Sequence, residues 1–432
     1  MNLLEDLPNL QRRTIDAILD VSAGKGCHPY LVGGPVRDRL LKRKSIDIDL
    51  TLEEGSSTLA RALAKKINGR VRSFPQFLTY KVVAEGYPDI DIATSRKERY
   101  RKPGALPAVT AGRLKDDLIR RDFSINALAL DLTTGSLHDP SGGVADIDAR
   151  VVRVLHDRSF VDDPTRIFRA IRLASRLGFE IEPHTQTLLQ SAVEENALAT
   201  VSRERLWREL FLAMDEQEAP AILTSLGSAG TLDILFGRRP SVDDQARFAE
   251  AQRLFEEDPT LDRAVLFTGL LLHGDASPVD FEGSGFSQKR ARTVVEIANE
   301  TPRLEELLTR ASNEAEKFRI YRRISPEMLA LLRTRLSIED PSIQRFHEFE
   351  RFVLPIRGND LDVPPGPHVA LALEKTRQAV FSGEISVDEA RAYARDAARR
   401  LFQSLKETSE IATDSVQTFP AGDQQELRER NG

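Results

Sequence analysis

The chain has 432 residues, of which 41% are hydrophobic and 30% charged, and its formal net charge is -6. This length exceeds that of a typical domain with a single hydrophobic core, so we expect about two to four globular domains. The single cysteine, Cys27, excludes an intrachain disulfide and favours a reducing compartment. The absence of a secretory pattern and of an apolar run near the roughly 20 residues of a membrane span predicts a cytoplasmic protein with no membrane partner. The net negative charge excludes a protein surface that is basic all over and binds nucleic acid everywhere, but it does not exclude a local basic groove.

The first part of the chain mixes helical and strand patterns. Apolar residues at helical spacing predict a helix within residues 1–27 and another over 57–68. Residues 28–50 are typical of a strand, a glycine turn, a short basic helix and a second strand. Alternation predicts further strands at 77–83 and 89–96. Together these elements predict a small mixed sheet with helices on one side.

The next segments are punctuated by proline and glycine. Residues 97–113 are predicted to form a mobile loop, and residues 116–131 a helix with two arginines near its start. A turn at 139–150 and a short strand at 151–155 follow. The strand signal then fades, and from about residue 160 to residue 400 the pattern predicts successive helices.

The stretch 28–50 carries the first motif with a chemical use. Gly33 and Gly34 allow the backbone to approach a ligand closely. Pro35 marks a helix start. The N–H groups of that start, with Arg37 one turn further on, predict an anion site.

Two carboxylates follow this motif. Asp47 and Asp49 alternate with aliphatic residues, so a strand presents both on one face, and such oxygen ligands suit Mg²⁺. Asp91, in the same alternation on a neighbouring strand, is a candidate third acid. The alternative is an exposed strand face that binds nothing. An anion site followed by an acid pair suggests phosphoryl or nucleotidyl transfer.

A second motif lies at residues 160–179. Asp163 before Pro164 is a helix-start signal. The arginines then fall every three or four residues, at Arg166, Arg169, Arg172 and Arg176. Such arginines repel one another, a polyanion relieves the repulsion, and arginine also recognises base edges. The alternative is a solvated helix whose arginines pair with acids elsewhere, and this segment alone leaves both open.

A third motif is RRDFSINA at 120–127. Arg121 is placed to meet a phosphate, and Asp122 or Asn126 a sugar hydroxyl. The alternative is a capped helix with surface charges. Tyr100 stands among basic residues in the preceding loop, a composition suited to nucleic-acid contacts or to plain solvation.

In this order the motifs resemble the class II tRNA nucleotidyltransferase family, which includes CCA-adding enzymes and bacterial poly(A) polymerases. The similarity covers about residues 28–215, and 364–385 resemble a tail-domain segment of the family. The matching motifs are LVGGPVRD (31–38), DID (47–49), RRDFSINALALD (120–131), DDPTRIFRAIR (162–172) and VSRERLWREL (201–210).

The resemblance implies an α+β fold with a polymerase-beta-like nucleotidyltransferase head, a small mixed sheet with helices, followed by all-helical neck, body and tail domains. The implied bounds are head 1–158, neck 159–222, body 223–340, tail 341–405 and a disordered C-terminus 406–432.

The resemblance also implies addition of C and A residues from CTP and ATP to the 3′ end of the tRNA acceptor arm, with two Mg²⁺ ions and release of pyrophosphate. Asp47 and Asp49 would hold the metal and activate the RNA 3′-hydroxyl, while Asp163 and Arg166 would pair with the incoming base. The implied nucleotide-binding residues are Gly34, Arg37, Arg121, Arg169 and Arg172.

Several activities share these motifs. A CC-adding enzyme, an A-adding enzyme and a poly(A) polymerase all remain open, as does a non-catalytic RNA-binding protein on the same fold. The base-reading motif begins Asp162-Asp163, where the family more often has Glu-Asp. The proline- and glycine-rich loop resembles that of members specialised for CC or A addition, and also that of some full CCA enzymes.

Overall fold

The structure is a computed structural model, and it describes residues 7–43, 46–236, 242–272, 277, 281–336, 341–350 and 352–414. The chain divides into two compact units, with the boundary between Val295 and Glu296. This boundary falls inside the predicted body, and the division into neck, body and tail stays a prediction. In the described part of the chain, no helix has both the length and the apolar character that a membrane span requires.

The first unit begins with a mixed α/β region. Its elements are α1 (Asn9–Lys25), β1 (Tyr30–Val32), α2 (Gly34–Leu40), β2 (Ile48–Leu52), α3 (Ser56–Lys66), β3 (Arg70–Phe74), β4 (Thr79–Val83), β5 (Ile90–Thr94), β6 (Arg96–Arg99), β7 (Ala108–Ala111), α4 (Leu114–Ile119), β8 (Ala129–Asp131), β9 (Leu137–His138), α5 (Gly143–Asp148) and β10 (Val151–Val152).

Helices dominate the rest of the chain. They and one short strand are α6 (Ser159–Asp162), α7 (Thr165–Leu177), β11 (Glu180–Ile181), α8 (Pro183–Glu194), α9 (Arg203–Met214), α10 (Ala219–Ser228), α11 (Asp233–Phe236), α12 (Val242–Glu257), α13 (Arg263–Leu271), α14 (Gln288–Arg310), α15 (Glu314–Tyr321), α16 (Pro326–Leu336), α17 (Pro341–Glu350), α18 (Pro367–Phe381) and α19 (Ala390–Asp414). This succession agrees with the predicted α+β class.

The head contains one seven-stranded mixed sheet, in the order β3-β4-β5-β2-β1-β8-β9. Only the β2–β5 pair is parallel among its neighbours, and it sets Asp49 opposite Asp91. Ile48 and Leu50 are buried on the other face of β2, as the alternation predicts. The strand starts at Ile48, so Asp47 lies just before it rather than within it.

The predicted loop at 97–113 is wrong. Strands β6 and β7 pair in antiparallel register, from Arg96 opposite Ala111 to Arg99 opposite Ala108. The proline- and glycine-rich residues form only the connection of this hairpin. The flanking residues alternate sufficiently to pair, and this pairing satisfies backbone groups that a loop would leave to water.

The helix predicted over 116–131 is also wrong. Helix α4 ends at Ile119, a 3₁₀ turn covers Ser124–Asn126, and β8 then pairs with β1. The side chain of Asp122 accepts a hydrogen bond from the Phe123 N–H. Short polar side chains compete in this way with helical hydrogen bonds.

Smaller differences concern three other segments. The predicted turn at 139–150 contains α5, and the predicted strand at 151–155 is reduced to β10, which pairs with β11 beyond residue 160. Helix α19 continues through residues 406–414, which were predicted to be disordered. Its glutamate, lysine and alanine residues have good helix propensity. Residues 415–432 lie outside the described part of the chain.

Helices α7 and α9 pack against each other in the first unit. Helix α7 buries the following apolar side chains: Ile167, Ala170, Ile171, Ala174 and Leu177. Helix α9 buries Leu206, Trp207 and Leu210. Its opposite side, with that of α7, forms one wall of the cleft described below. In the second unit, α18 and α19 pack around a small apolar core that includes Leu361, Ala372 and Ala394.

Candidate active site

The first unit contains a cleft of about 690 Å³ between the sheet region and helices α7 and α9. All but one of the residues predicted for the site line it: Gly33, Gly34, Arg37, Asp47, Asp49, Arg121, Asp122, Asn126, Asp163, Arg166, Arg169 and Arg172. The exception is Asp91. Motifs separated by more than 100 residues along the chain therefore meet in one place.

The glycine turn before α2 is held close to the arginine of the third motif. Gly33 has φ +74° and ψ -132°, a conformation that side-chain-bearing residues rarely adopt. A Cβ atom at this position would lie 2.6 Å from Arg121 Nη1. The Gly33 carbonyl oxygen also accepts hydrogen bonds from the N–H groups of Val36 and Arg37, which closes the first turn of α2. Glycine is therefore required both by the backbone and by the neighbouring guanidinium.

A chain of hydrogen bonds connects α2 with α7. Arg37 Nε donates to Asp38 Oδ1 at 2.9 Å, and its Nη1 donates to Asn126 Oδ1 at 2.5 Å. Asn126 Nδ2 donates to Asp122 Oδ1 at 3.0 Å, and Arg169 Nε donates to Asp122 Oδ2 at 2.9 Å. Residues predicted to contact ligand are thus also bonded to one another, and together they connect the glycine turn to the arginine helix.

The charged groups in this series of hydrogen bonds stabilise each other. Burial alone would raise the pKa of Asp122, but the charge of Arg169 and the hydrogen bonds from Asn126 and Arg169 hold that pKa well below its usual range. The same carboxylate raises the pKa of Arg169. Burial lowers the pKa of Arg37, and Asp38 opposes that shift.

The acid pair lies at the start of β2. Burial raises the pKa of Asp49 to about 6, and the charges of Asp91 and Asp47 add to the effect. Asp91 is itself paired with Lys81 at 3.1 Å. Within the described residues, no three acidic, histidine or cysteine side chains form a closed set of metal ligands.

This donor set nevertheless fits Mg²⁺. Proteins usually bind that ion through one or two carboxylates together with substrate phosphates, not through a complete protein cage. Asp47 and Asp49 supply two such carboxylates, and a bound cation would offset both the burial and the neighbouring negative charges that raise the pKa of Asp49.

The first residues of the arginine helix are fixed by several contacts. Asp163 Oδ1 accepts hydrogen bonds from Thr165 Oγ1 at 2.7 Å and from Arg205 Nη2 at 2.7 Å. Arg166 is only 5% exposed; its Nη1 donates to Ser159 Oγ at 2.7 Å, and its Nη2 donates to the Arg120 carbonyl oxygen at 3.0 Å. Both side chains line the cleft in orientations that the protein itself determines.

The next arginines of α7 pair with acids of α9 and of the turn after it. Arg172 Nη1 lies 3.1 Å from Glu216 Oε1, and its Nη2 lies 3.5 Å from Glu209 Oε2. Arg176 Nη1 lies 3.6 Å from Glu216 Oε1. The alternative of pairing with acids elsewhere therefore describes these two arginines, and repulsion within the helix does not by itself require a polyanion.

Sequence reasoning missed the carboxylates that accept hydrogen bonds from the two arginines of the third motif. Asp117 is fully buried, and it accepts hydrogen bonds from Arg120 Nη2 at 2.8 Å and from Arg121 Nη2 at 3.1 Å. Glu98 Oε1 accepts another from Arg120 Nη1 at 2.8 Å. The i, i+3 and i, i+4 spacing from Asp117 to the two arginines was the available signal. The contact with Glu98 depends on the unpredicted hairpin.

Sequence reasoning also missed the contribution of α9. The side chains of Arg205, Arg208, Glu209 and Leu212 line the cleft. Their spacing of three, four and seven residues places them on one side of the helix, opposite its buried apolar residues. That pattern was visible in VSRERLWREL, but nothing in it indicated which side faced a ligand.

A mixed sheet with a glycine turn and an acid pair, facing a wall rich in arginine, defines a nucleotidyltransferase type of site. The family described as "Poly A polymerase head domain" matches residues 29–153. This match agrees with the family that the order of the motifs predicted, and it covers the region that holds the glycine turn, the acid pair and the third motif.

Curated relatives match about half of the chain. It is 42% identical over 206 residues to an A-adding tRNA nucleotidyltransferase of Geobacter sulfurreducens, covering 47% of this chain and 23% of that protein. The Aquifex aeolicus A-adding enzyme is 43% identical over 197 residues, covering 45% and 24%. The multifunctional CCA protein of Stenotrophomonas maltophilia R551-3 is 39% identical over 213 residues, covering 47% and 50%. The chain thus spans between about a quarter and a half of these relatives.

Solved structures match over more of the chain. A CCA-adding enzyme in an apo form has a TM-score of 0.75 at 26% identity, covering 90% of this chain and 96% of that one. The Thermotoga maritima CCA-adding enzyme complexed with tRNA has a TM-score of 0.75 at 25% identity, covering 93% and 97%. The likeness confirms the predicted fold class of a nucleotidyltransferase head followed by helical domains.

Proposed function

We propose that this protein is a template-independent RNA nucleotidyltransferase that adds C, A or both to the 3′ end of the tRNA acceptor arm from CTP and ATP. One observation carries the proposal: the acid pair at Asp47 and Asp49 lines the same cleft as Asp163 and Arg166. An enzyme that only transferred phosphoryl groups would need the acids but no fixed carboxylate and guanidinium to select a base. The tRNA, CTP and ATP complexes of similar CCA-adding enzymes support these substrates.

The head residues act on the triphosphate. The glycine turn at Gly33 and Gly34 gives the phosphates access to the backbone, and Arg121 supplies charge beside it. Arg37 is buried and donates to Asn126. It therefore fixes the Asn126 side-chain amide, which faces the sugar, relative to the glycine turn, while its charge acts on the phosphates.

The acid pair acts on the reacting oxygen. Asp47 and Asp49 would hold Mg²⁺ together with substrate oxygens, and the ion would supply a lower pKa for the RNA 3′-hydroxyl and charge stabilisation for the departing pyrophosphate. Asp49 is half-buried on β2 and opposite Asp91, so both side chains lie on the same face of the sheet. A role for Asp91 as a third acid, next to its ion pair with Lys81, remains a prediction.

The base is selected by α7. Because Asp163 Oδ1 already accepts hydrogen bonds from Thr165 and Arg205, its Oδ2 is the oxygen left for an exocyclic amine. Cytosine and adenine both carry such an amine, whereas uracil carries a carbonyl at that position. Arg166 supplies donors beside it.

Asp47→Ala tests the proposal most directly. We expect the variant to lose nucleotide incorporation while its affinity for tRNA stays close to that of the wild type. Asp148→Ala is the matched control, because that exposed aspartate of α5 does not line the cleft. Incorporation by Asp47→Ala at the wild-type rate would contradict the assignment of the acid pair.

Nucleotide specificity is a separate question within this proposal. A-only addition is the second candidate, because the A-adding enzymes of Geobacter sulfurreducens and Aquifex aeolicus are 42% and 43% identical over the matched segment. Purified protein is incubated with tRNA transcripts that end before CCA, after C and after CC, with labelled CTP or ATP. Full CCA addition extends all three, an A-adding enzyme only the last, and a CC-adding enzyme only the first two.

Two further outcomes have their own signatures. Extension of RNA without a tRNA acceptor end by long A tracts indicates a poly(A) polymerase. Absence of any Mg²⁺-dependent incorporation, with RNA binding retained, indicates a non-catalytic RNA-binding protein. A cytoplasmic location belongs to the proposal, and it is supported by the single cysteine and by the bacterial origin of the relatives.

A further inference from the structure

Helix α9 carries an arginine that the other side chains of the cleft do not neutralise. Arg208 is exposed and lines the cleft, and within the described part of the chain it makes no hydrogen bond or ion pair. The other arginines of the cleft all have partners: Arg37, Arg120, Arg121, Arg166, Arg169, Arg172, Arg176 and Arg205. Arg208 is therefore the cleft cation most readily available to an anion.

An exposed apolar side chain lies one turn further along the same side of α9. Leu212 is 39% exposed and lines the cleft, as does Leu106 of the β6–β7 connection, which is 64% exposed. Exposed apolar area costs about 25 cal/mol per Å² relative to burial. A flat, partly apolar ligand such as a nucleobase would cover these leucines, and an anion alone would not.

An unpaired cation and an exposed leucine one turn apart match the two parts of a nucleotide, its phosphate and its base. In the proposed function the triphosphate of the incoming nucleotide lies by Gly33 and the acid pair, and its base lies by Asp163. Arg205 is the partner of Asp163. Along the helix axis, Arg208 is about 4.5 Å and Leu212 about 10 Å from Arg205. The α9 wall thus continues past the base-selecting residues by roughly one nucleotide.

We propose that Arg208 and Leu212 bind the 3′-terminal nucleotide of the RNA substrate, Arg208 at its phosphate and Leu212 at its base, with Leu106 covering the base from the hairpin. The inference rests on the proposed function, since it assigns the RNA end of the same cleft. It gives α9 a direct part in holding the RNA whose hydroxyl reacts.

The first experiment measures RNA binding without nucleotides. The probe is a labelled acceptor-stem hairpin with a single-stranded 3′ CC end, and a blunt hairpin of the same stem is the comparison. Arg208→Ala should weaken binding of the CC-ended hairpin about 10-fold, the scale of a lost charge-assisted contact. It should also make the plot of log affinity against log salt shallower by about 0.7. Leu212→Ala should weaken binding about threefold with the salt slope unchanged.

The blunt hairpin locates the contact. Neither substitution should change its affinity, because it lacks the terminal nucleotides. Equal losses on both hairpins would overturn the proposal by placing the contact on the stem. The matched controls are Arg203→Ala, an exposed arginine of the same helix that does not line the cleft, and Leu10→Ala, whose side chain has the same 39% exposure as that of Leu212.

The second experiment separates the RNA from the incoming nucleotide. In steady-state incorporation, Arg208→Ala should raise the KM for RNA about 10-fold and leave the KM for the nucleoside triphosphate unchanged. A raised triphosphate KM with an unchanged RNA KM would overturn the proposal. If the wild-type protein incorporates no nucleotide, the proposed function fails, but the two hairpins still decide whether Arg208 binds an RNA end.

Discussion

Arg205 donates a hydrogen bond from Nη2 to Asp163 Oδ1 at 2.7 Å and another from Nη1 to the Gly104 carbonyl oxygen at 2.7 Å. One guanidinium therefore holds both the base-facing carboxylate and the connection of the β6–β7 hairpin. Gly104 is packed so closely there that a Cβ atom would lie 2.2 Å from Thr200 Oγ1. The orientation of Asp163 consequently depends on α9 and on the hairpin, as well as on its own helix.

Arg205→Ala should reduce nucleotide selectivity. Without its charged partner, Asp163 can rotate, and a lost charge-assisted hydrogen bond of about 1.5–3 kcal/mol corresponds to roughly a 10- to 100-fold change. We expect kcat/KM for CTP or ATP to approach that for UTP within this range. Arg205→Lys should restore part of the selectivity, because one ammonium group can reach only one of the two acceptors.

Arg158→Ala is the matched control for Arg205→Ala. Arg158 forms an exposed ion pair with Asp162, the residue next to Asp163, so its loss removes a similar charge without touching the base-facing carboxylate. Selectivity that is unchanged in Arg205→Ala, or lost equally in Arg158→Ala, would show that Arg205 does not orient Asp163.

The pair formed by Asp122 and Arg169 should contribute to stability. Asp122 is buried and bonded to both Arg169 and Asn126, so Asp122→Asn leaves a guanidinium without its counter-charge. Breaking a buried pair costs about 3–5 kcal/mol, and because Arg169 is partly exposed we expect about 2 kcal/mol. Urea unfolding of the first unit measures the loss, with Asp148→Asn as the surface control.

The same pair predicts a dependence on pH. The pKa of Asp122 is lower in the folded protein than its usual value near 3.8. The stabilisation is therefore fully present above about pH 4 and is lost as the pH falls below that value toward the folded pKa. The free energy of unfolding of the wild type should fall more steeply below pH 4 than that of Asp122→Asn. Parallel curves for the two proteins would exclude this contribution.

The local patterns of the sequence predicted the elements whose periodicity is unambiguous. Alternation identified the strand carrying Asp49 and its neighbour carrying Asp91, because burial of one face forces that pattern. The helix start signalled by Asp163-Pro164 is also confirmed, since α7 begins at Thr165. The cleft itself was predictable only through the family resemblance, since no local pattern brings residue 33 to residue 166.

The contacts that determine side-chain roles were not predictable from spacing. Arg169 pairs with Asp122, and Arg172 with Glu216, both more than 40 positions away along the chain. The hairpin and the end of α4 were mispredicted because backbone pairing and the side chain of Asp122 override weak helix and loop signals. These long-range pairings decide which arginines are neutralised and leave Arg208 as an exception.

Arg166→Ala should impair stability as well as base selection. The family resemblance implied that Arg166 pairs with the incoming base, and in the structure its guanidinium is also buried and donates to Ser159 Oγ and to the Arg120 carbonyl oxygen. An unsatisfied buried polar group costs about 1–3 kcal/mol, so we expect the melting temperature to fall together with the choice between CTP and ATP. A variant with altered selectivity and wild-type melting would show that the two acceptors are satisfied by water.

Gly33→Ala should act through the neighbouring arginine. The added Cβ would lie 2.6 Å from Arg121 Nη1, so the guanidinium must move away from the turn, and the triphosphate KM should rise about 10-fold or more. Gly142→Ala is the control, because its φ of +73° is close to the +74° of Gly33 but a Cβ there meets nothing within 4 Å. Gly142→Ala should lose about 1–2 kcal/mol of stability from its left-handed backbone, and Gly33→Ala should lose at least as much, because its ψ of -132° lies outside the left-handed helical region; urea unfolding measures both losses. Only Gly33→Ala should lose nucleotide affinity; an equal rise in KM for Gly142→Ala would mean that backbone strain, and not displacement of Arg121, causes the defect.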